Sequence, residues 1–357
     1  MMNTNLKRNR IAIGWLFLTL LFLVPSVATA AQVSIGAASD VNESDTTISF
    51  PVSINTVDSG SDVTVNVSYG GTATGGGVDY TGPASLVIPQ DQLGADLIVQ
   101  IHTDNIVELD ETIIVTLDSA TGSVAHTIHP SQFDSSTSIL NDDSATVTVD
   151  SVSVDESAGT ATFTATLDAA VDDTFTVDYA AADGTAVAGS DYTAASGTLT
   201  FAGTASETQT FTVPILDDTV VELPESFTVS LSNVQAGGRS VSTGADGTGT
   251  TTDADSATVT VDSVSVDESA GTATFTATLD AAVDDTFTVD YAAADGKAVA
   301  GSDYTAASGT LTFAGTASET QAFTVPILDD TVVELPESCW GGFWSVEGGG
   351  GGGGAGG

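Results

Sequence analysis

A near-exact internal repeat constrains the fold of this chain more than any other feature. Residues 143–226 recur as residues 255–338, 112 positions later, and the copies differ only where Thr185 becomes Lys297 and Thr210 becomes Ala322. Each copy alternates apolar and polar residues and closes its blocks with clustered Asp and Glu, as in PILDDTVVELPES. The sequence therefore predicts a string of similar modules rather than a single catalytic domain.

The first 31 residues have the composition of a secretory signal peptide. Lys7, Arg8 and Arg10 precede an apolar run over residues 11–24, and small residues follow at positions 28–30. A retained membrane anchor is the alternative, but the run is shorter than the roughly 20 residues that a spanning helix needs. We therefore expect residues 1–31 to be removed on export. The mature chain, without a transmembrane segment, would then be secreted or held at the cell surface.

The remaining chain is strongly acidic. Three of the five basic residues of the full sequence lie in the first 31, so only Arg239 and Lys297 face 48 acidic residues, a net charge of −46. Nucleic acid is excluded as a partner because no basic surface could neutralise its phosphates. Such an excess repels itself unless cations collect on it. Adaptation to salt or solubility is an alternative that explains the total charge, but not its clustering at repeated positions.

Disulfides cannot tie the loops of this chain together. Its one cysteine, Cys339, lies near the C-terminus, so no intramolecular disulfide can form. Small exported domains often depend on such bonds. Another cross-link is needed, and calcium is the obvious candidate.

Seven segments of the second copy alternate with period two and are rich in Thr, Val, Phe and Ile, which predicts strands at 146–154, 160–167, 174–181, 198–201, 208–216, 227–231 and 248–252. No stretch shows the 3.6-residue period of a helix. Seven short strands in about 110 residues predict an all-β, two-sheet sandwich.

Strand parity gathers the acidic residues of the second copy at one end of that sandwich. If successive strands run antiparallel, the gaps after strands one, three, five and seven fall at one pole, which we call the acidic pole. Those gaps contain eight carboxylates: Glu156, Asp191, Asp217, Asp218, Glu222, Glu225, Asp253 and Asp255. Four others, which we interpret as solvated turn residues, fall at the opposite pole: Asp168, Asp172, Asp173 and Asp246.

Clustered carboxylates suit calcium, which takes 6 to 8 oxygen ligands, better than magnesium, which keeps its waters. Two other calcium motifs do not fit. An EF-hand loop needs a central Gly, and residues 217–225 contain none. The Gly-rich nonapeptide of parallel β-helices is also missing, since the Gly run at 75–77 is isolated.

The second copy resembles the Calx-beta domain, first known from sodium–calcium exchangers. The resemblance is carried by VSVDESAGTATFTATL, TFTVDYAAADGTAVAGSDYT, GTLTF and FTVPILDDTVVELPESFTVSLSN, which span nearly the whole copy. It implies tandem seven-stranded sandwiches of immunoglobulin-like shape that bind Ca²⁺ through acidic loops at one end. The implied ligands are the eight carboxylates of the acidic pole.

Two further segments resemble the same domain, and we name the three repeat one (residues 32–143), repeat two (144–255) and repeat three (256–338). Repeat one is diverged, with Thr103 where repeat two has Asp217. Its predicted ligands are Glu43, Asp79, Asp104, Glu108, Glu111, Asp142 and Asp143. Those of repeat three are Glu268, Asp303, Asp329, Asp330, Glu334 and Glu337.

Repeat three is predicted to be incomplete. After Ser338 the chain continues as a Gly-rich tail, residues 339–357, in place of the sequence that follows Ser226. We therefore expect strands six and seven to be missing, which would leave open sheet edges. A frame change or truncated gene would explain the tail, and a natural flexible tail is the alternative.

Signals of catalysis are poor, and we predict no enzyme. His102, His126 and His129 are confined to repeat one, where the HTIHP spacing is a weak metal signal and solvent-facing side chains are the simpler interpretation. No Ser–His–Asp set can be assembled in repeats two and three. Carboxylate pairs could serve glycoside hydrolysis, but no aromatic sugar platform accompanies them.

The favoured hypothesis is a calcium-binding module of an exported surface or matrix protein, active in adhesion or cell communication. Its partners would be calcium ions and other surface proteins or polysaccharide. A passive acidic spacer and a noncatalytic module of a larger secreted hydrolase are the alternatives. Because repeat three follows Asp255 without a linker, we expect its opposite pole to lie on the acidic pole of repeat two, where a bound ion would stiffen the joint.

Overall fold

The structure, a computed structural model, describes residues 30–331 and the backbone of residues 340–348. Strands dominate these residues, and the helical elements among them are single 3-10 turns at Glu156–Ala158 and Glu268–Ala270. The all-β prediction is confirmed. Across the same ranges, no helix is long and apolar enough to cross a membrane.

The chain divides into two compact units. The first comprises the described residues up to Val41, together with Thr46–His102 and Thr112–Ser138. The second contains Asn42–Asp45, Thr103–Glu111 and the described residues from Ile139 onward. The second unit thus includes three segments of repeat one, together with repeats two and three.

Repeat one contains eleven strands: β1 (Ala31–Ile35), β2 (Val41–Asn42), β3 (Thr47–Ile54), β4 (Val63–Gly71), β5 (Tyr80–Thr81), β6 (Ser85–Ile88), β7 (Gly94–Ile101), β8 (Ile106–Val107), β9 (Glu111–Thr121), β10 (His126–Ile128) and β11 (Asp134–Leu140). Ten of them form two sheets, ordered β10-β1-β3-β7-β5 and β2-β11-β9-β4-β6.

Repeat two also contains eleven strands: β12 (Ala145–Val149), β13 (Val152–Asp155), β14 (Thr160–Leu167), β15 (Ala170–Val171), β16 (Phe175–Ala182), β17 (Ser196–Phe201), β18 (Thr208–Pro214), β19 (Val220–Val221), β20 (Glu225–Gln235), β21 (Val241–Thr243) and β22 (Gly247–Thr252). Its sheets have the orders β18-β14-β12-β21 and β13-β22-β20-β16-β17. The long strands fall where alternation predicted them.

The first predicted strand of repeat two, 146–154, is two strands in the structure. β12 pairs with β14 in one sheet, whereas β13 pairs in parallel with β22 in the other. Polar contacts support the crossing between sheets: the Asp150 carboxylate accepts the Thr164 N–H at 2.8 Å, and the Ser151 hydroxyl accepts the Thr248 N–H at 3.0 Å. The alternation changes phase at the crossing, because two exposed polar residues, Asp150 and Ser151, stand side by side between Val149 and Val152. The prediction of one continuous strand overlooked this signal.

Repeat three contains seven strands: β23 (Val259–Val261), β24 (Thr272–Leu279), β25 (Ala282–Val283), β26 (Phe287–Ala294), β27 (Ser308–Phe313), β28 (Thr320–Pro326) and β29 (Trp340–Gly348). They form the sheets β23-β24-β28 and β27-β26-β29, and β25 pairs with β19 of repeat two.

The prediction that strand six of repeat three is missing was wrong, because the tail residues of β29 take its place. Tyr291 lies opposite Phe343, just as Tyr179 lies opposite Leu231 in repeat two, 112 positions earlier. Backbone pairing uses N–H and C=O groups, which a Gly-rich segment also has. No counterpart of β22 occurs in the part of repeat three that the structure describes.

Aromatic rings fill the core of repeat two. Phe163, Phe201 and Phe227 are fully buried. The ring of Phe227 lies 4.6 Å from that of Tyr192 and 6.0 Å from that of Phe163, within the range of favourable aromatic pairs. This packing joins the two sheets and sets the frame from which the polar loops project.

Gly249 is tightly packed against the aromatic core. It lies opposite Phe227, and a Cβ atom there would stand 2.2 Å from the ring carbon Cζ. We predict that Gly249→Ala lowers the free energy of unfolding of repeat two by about 1–3 kcal/mol, the usual effect of overpacking. Gly70→Ala is the control, because no atom lies within 4 Å of its added Cβ. Equal denaturation curves for the two variants would contradict the packing described.

Candidate metal centre

The acidic pole of repeat two holds two triads of carboxylates. One, the closing triad, consists of Glu156, Asp253 and Asp255, and the other, the loop triad, of Asp191, Glu222 and Glu225. In each triad, one oxygen atom per residue lies within 4.8 Å of the others. All six residues are among the eight that strand parity places at the acidic pole, and Asp217 and Asp218 belong to neither triad.

Asp217 and Asp218 lie at the edge of these triads and are exposed. The Asp218 carboxylate accepts the Val220 N–H at 2.7 Å, which holds the start of β19. The negative charge of Asp218 acts on both Glu222 and Asp255. Asp218 thus lies between the two triads without belonging to either.

A 3-10 turn positions Glu156. Asp155 caps the turn by accepting the Ser157 N–H at 3.0 Å, and Gly159 ends it with a φ of 71°, a conformation that favours glycine. The side chain of Glu156 is buried, with the residue 6% exposed, although it is acidic. The turn thus delivers a carboxylate into a poorly solvated place beside Asp253.

Asp183 is a positioning residue that the sequence analysis missed. Its carboxylate accepts the Tyr192 hydroxyl at 2.7 Å and the Ala188 N–H at 2.8 Å. These bonds fix the loop whose next acidic residue, Asp191, accepts the Val187 N–H. The only signal was the Asp-Gly pair at 183–184, which resembles any turn. Asp295 and Tyr304 repeat the arrangement in repeat three, also at 2.7 Å.

Burial, together with neighbouring carboxylates, makes these carboxyls weaker acids than usual. Burial, followed by a hydrogen bond with Asp253, raises the pKa of Glu156 to about 7. Burial, followed by a hydrogen bond with Asp191, raises the pKa of Glu225 to about 7. Burial also raises the pKa values of Glu222 and Asp255, with help from neighbouring carboxylates. Without a cation, the pole therefore keeps protons near neutral pH.

Repeat one has a triad at the corresponding place, formed by Glu43, Asp104 and Asp143. Glu43 is buried and accepts the Asp104 N–H at 3.1 Å, and burial raises its pKa. Asn141 stands where repeat two has Asp253, since its amide oxygen accepts the Glu108 N–H as Asp253 accepts the Glu222 N–H. Asp142 is exposed and accepts the Ser44 hydroxyl, outside the triad.

The other predicted ligands of repeat one lie in both compact units. Asp79, in the first unit, ends a turn in which its carboxylate accepts the Thr74 N–H. Glu108 and Glu111 belong to the second unit, and both are half-buried.

In repeat three, fewer of the predicted ligands come together than in repeat two. Glu268 is only half-buried where Glu156 is buried, and Asp329 and Asp330 are exposed. Asp303 accepts the Val299 N–H at 2.6 Å, as Asp191 does with Val187. Glu334 and Glu337 lie outside the described residues. Among the residues of repeat three that can be described, no three carboxylates come together.

Two expectations about residues away from the acidic pole were wrong. The His126 side chain is buried rather than solvent-facing, with Nδ1 2.9 Å from the Val124 carbonyl oxygen and Nε2 3.8 Å from the Asp58 carboxylate. Asp172 is not a merely solvated turn residue, because its carboxylate accepts two hydrogen bonds from Arg239. Both partners are distant in sequence, which local pattern cannot reveal.

A family model matches most of this sequence. The model of the Calx-beta domain matches residues 32–144, 140–261 and 250–340. Because these matches cover most of its length, the chain belongs to the Calx-beta family, whose domains are noncatalytic calcium-binding modules known from sodium–calcium exchangers.

Parts of this chain are similar to solved Calx structures. The crystal structure of the apo form of the Calx CBD1 domain is 26% identical, with 30% of this chain and 98% of that chain covered and a TM-score of 0.28. The structure of CBD12 from CALX1.2 is 17% identical, with 62% of this chain and 99% of that chain covered and a TM-score of 0.29. No curated protein matches the chain.

The triads fit a calcium ion chemically. Calcium binds oxygen ligands at 2.3–2.6 Å, so two ligands of one ion lie up to about 5 Å apart. The oxygens of each triad lie within 4.8 Å of one another and come from carboxylates. A bound ion would supply positive charge that lowers the pKa values of these groups and removes their mutual repulsion.

The raised pKa values predict a pH dependence of stability in the presence of a chelator. A carboxyl whose pKa is higher in the folded than in the unfolded state stabilises the fold at low pH and loses that effect as pH rises. Melting temperature should therefore fall between about pH 4.5 and 7, the ordinary and raised values of Glu156. Glu156→Gln should remove part of this fall, and the difference isolates Glu156 from the histidines. A melting temperature independent of pH across this window would contradict the assignment.

Proposed function

We propose that this chain is a calcium-binding tandem module of an exported surface or matrix protein, serving adhesion or cell communication. The observation that carries the calcium part is the pair of carboxylate triads in repeat two, with a related triad in repeat one. Random surface acids repel one another and stay solvated. These are brought together and partly buried, an arrangement that a divalent cation stabilises.

Export is supported by the N-terminal sequence. A basic start, an apolar run and small residues at 28–30 are typical of a signal peptide. The repeats suit an extracellular medium, where calcium is abundant and can cross-link loops in place of disulfides. Surface proteins or polysaccharide are the partners that an exported repeat array would meet.

A passive acidic spacer and a noncatalytic module of a larger hydrolase remain the competing functions. The spacer hypothesis explains the net charge but gives no reason for burying Glu156 beside two other carboxylates. The module hypothesis agrees with the same calcium sites and differs only in what the array is attached to.

Calcium should stabilise the mature chain, residues 32–357. Extracellular modules bind calcium at roughly 0.1–1 mM. Excess calcium at about 10 to 100 times the dissociation constant should add about 1.4 to 2.7 kcal/mol of stability. Calorimetry should therefore show a higher melting temperature in ~10 mM calcium than in chelator at neutral pH. Identical thermograms would favour the passive spacer.

Glu222 should be needed for full calcium binding, because it belongs to the loop triad and its N–H is bonded to Asp253 of the closing triad. We predict that Glu222→Gln weakens binding to repeat two about tenfold or more, since even outer-shell partners change metal affinity about 10- to 100-fold. Asp246→Asn removes the same charge from the exposed opposite pole and is the matched control. Equal calcium titrations of the two variants would show that only net charge matters.

A further inference from the structure

Two joints within the second compact unit have the same backbone geometry. At joint one, β8 of repeat one pairs in parallel with β15 of repeat two, and the Asp172 N–H donates to the Val107 carbonyl at 3.2 Å. At joint two, β19 of repeat two pairs in parallel with β25 of repeat three, and the Asp284 N–H donates to the Val221 carbonyl at 3.0 Å. As expected from the sequence, the opposite pole of repeat three thus lies on the acidic pole of repeat two.

The two joints differ in apolar burial. Val107 is fully buried and belongs to the core cluster of repeat two, together with Val171. Its counterpart at joint two, Val221, is only half-buried. The two-residue strand pair is therefore more deeply buried at joint one than at joint two.

The two joints also differ in charge. At joint one, the guanidinium of Arg239 donates two hydrogen bonds to Asp172, the one from Nη2 at 2.9 Å, and its Nη2 lies 3.8 Å from Asp173. Its charge also acts on Glu108, a carboxylate of repeat one. The Arg239 side chain is only 12% exposed, so water screens these interactions less than it would at an open surface.

A tight turn brings Arg239 to this place. Gly237 and Gly238 have φ values of 64° and 104°, which favour glycine. A Cβ atom on Gly238 would lie 3.3 Å from Leu109 of repeat one. The turn therefore packs closely on the loop that contains Glu108, and glycine permits this approach.

Joint two carries the same acids without the arginine. Asp284 corresponds to Asp172, and its charge acts on Glu222 and Glu225 of repeat two. The residue 112 positions after Arg239 is Gly351, which has no side chain to offer. Like charges thus face each other across joint two, whereas joint one has a cation among its acids.

We propose that Arg239 is a fixed counter-ion that keeps joint one paired without any dissolved cation, whereas joint two depends on ions from the solution to screen its repulsion. Arginine suits this role because its charge is permanent and its planar fork matches a carboxylate. The proposal does not depend on calcium binding by the triads, since its test is made in chelator.

Hydrogen exchange measures each joint separately, because the Asp172 and Asp284 N–H groups make the bonds between repeats. The whole mature chain is used with segmental ¹⁵N labelling, since residues 168–184 and 280–296 are identical in sequence. In chelator and low salt, we expect the Asp172 amide to be the more protected. Arg239→Gln should lower its protection about fivefold, the effect expected for loss of one partly exposed ion pair, and leave Asp284 unchanged.

Three comparisons make the test decisive. Added sodium chloride should raise protection at Asp284 more than at Asp172, because screening relieves only the unneutralised joint. Lys297→Gln removes the other basic residue of the mature chain, which is exposed, and should change neither amide. Unchanged protection of Val213, a core residue paired with Ala161, confirms that Arg239→Gln is folded. Undiminished protection of Asp172 in Arg239→Gln, or an equal loss in Lys297→Gln, would overturn the proposal.

Discussion

Repulsion among carboxylates that the fold forces together is the constraint on which the rest of this structure depends. Burial, followed by hydrogen bonds with Asp253 and Asp191, raises the pKa values of Glu156 and Glu225 to about 7. Such an arrangement destabilises the fold unless protons or cations occupy it. The aromatic core of repeat two supplies the stability that allows it. The acidic pole therefore destabilises the fold locally through repulsion between carboxylates, and binding of a cation can remove that destabilisation.

Local pattern predicted most of the fold and the composition of the site, because both follow from short-range periodicity. Alternation of apolar and polar residues identified the long strands, and strand parity then placed Glu156, Asp191 and Asp253 at one pole. Neither step needs knowledge of packing. Parity depends only on successive strands running antiparallel, so it tolerated the splitting of the first strand into β12 and β13. Strand parity does not predict which of these carboxylates form triads.

What the sequence did not reveal depends on contacts between distant residues. Arg239 reaches Asp172 across 67 positions, and nothing in the turn sequence around either residue indicates the pair. Asn141 occupies the position that Asp253 holds in repeat two, as its hydrogen bond with the Glu108 N–H shows. In the sequence, the neighbouring Asp142 is the more obvious candidate for that position. Strand β29 joins its sheet through backbone groups, so its unusual composition wrongly suggested that the sixth strand was missing.

The identity of β16 and β26 has a consequence for how the chain reaches its structure. Both read FTVDYAAA, so β20 would make the same ladder with either. The connecting segments of the two pairings have similar lengths. Glu225 of β20 follows Ala182 of β16 by 43 positions, and Phe287 of β26 follows Gln235 of β20 by 52. Loop-closure entropy then differs by only about 0.2 kcal/mol. Order of synthesis separates them, because β16 leaves the ribosome before β20, and β26 only afterwards. Correct strand pairing in this chain is thus favoured by direction of translation, and a denatured full-length chain refolds without that advantage.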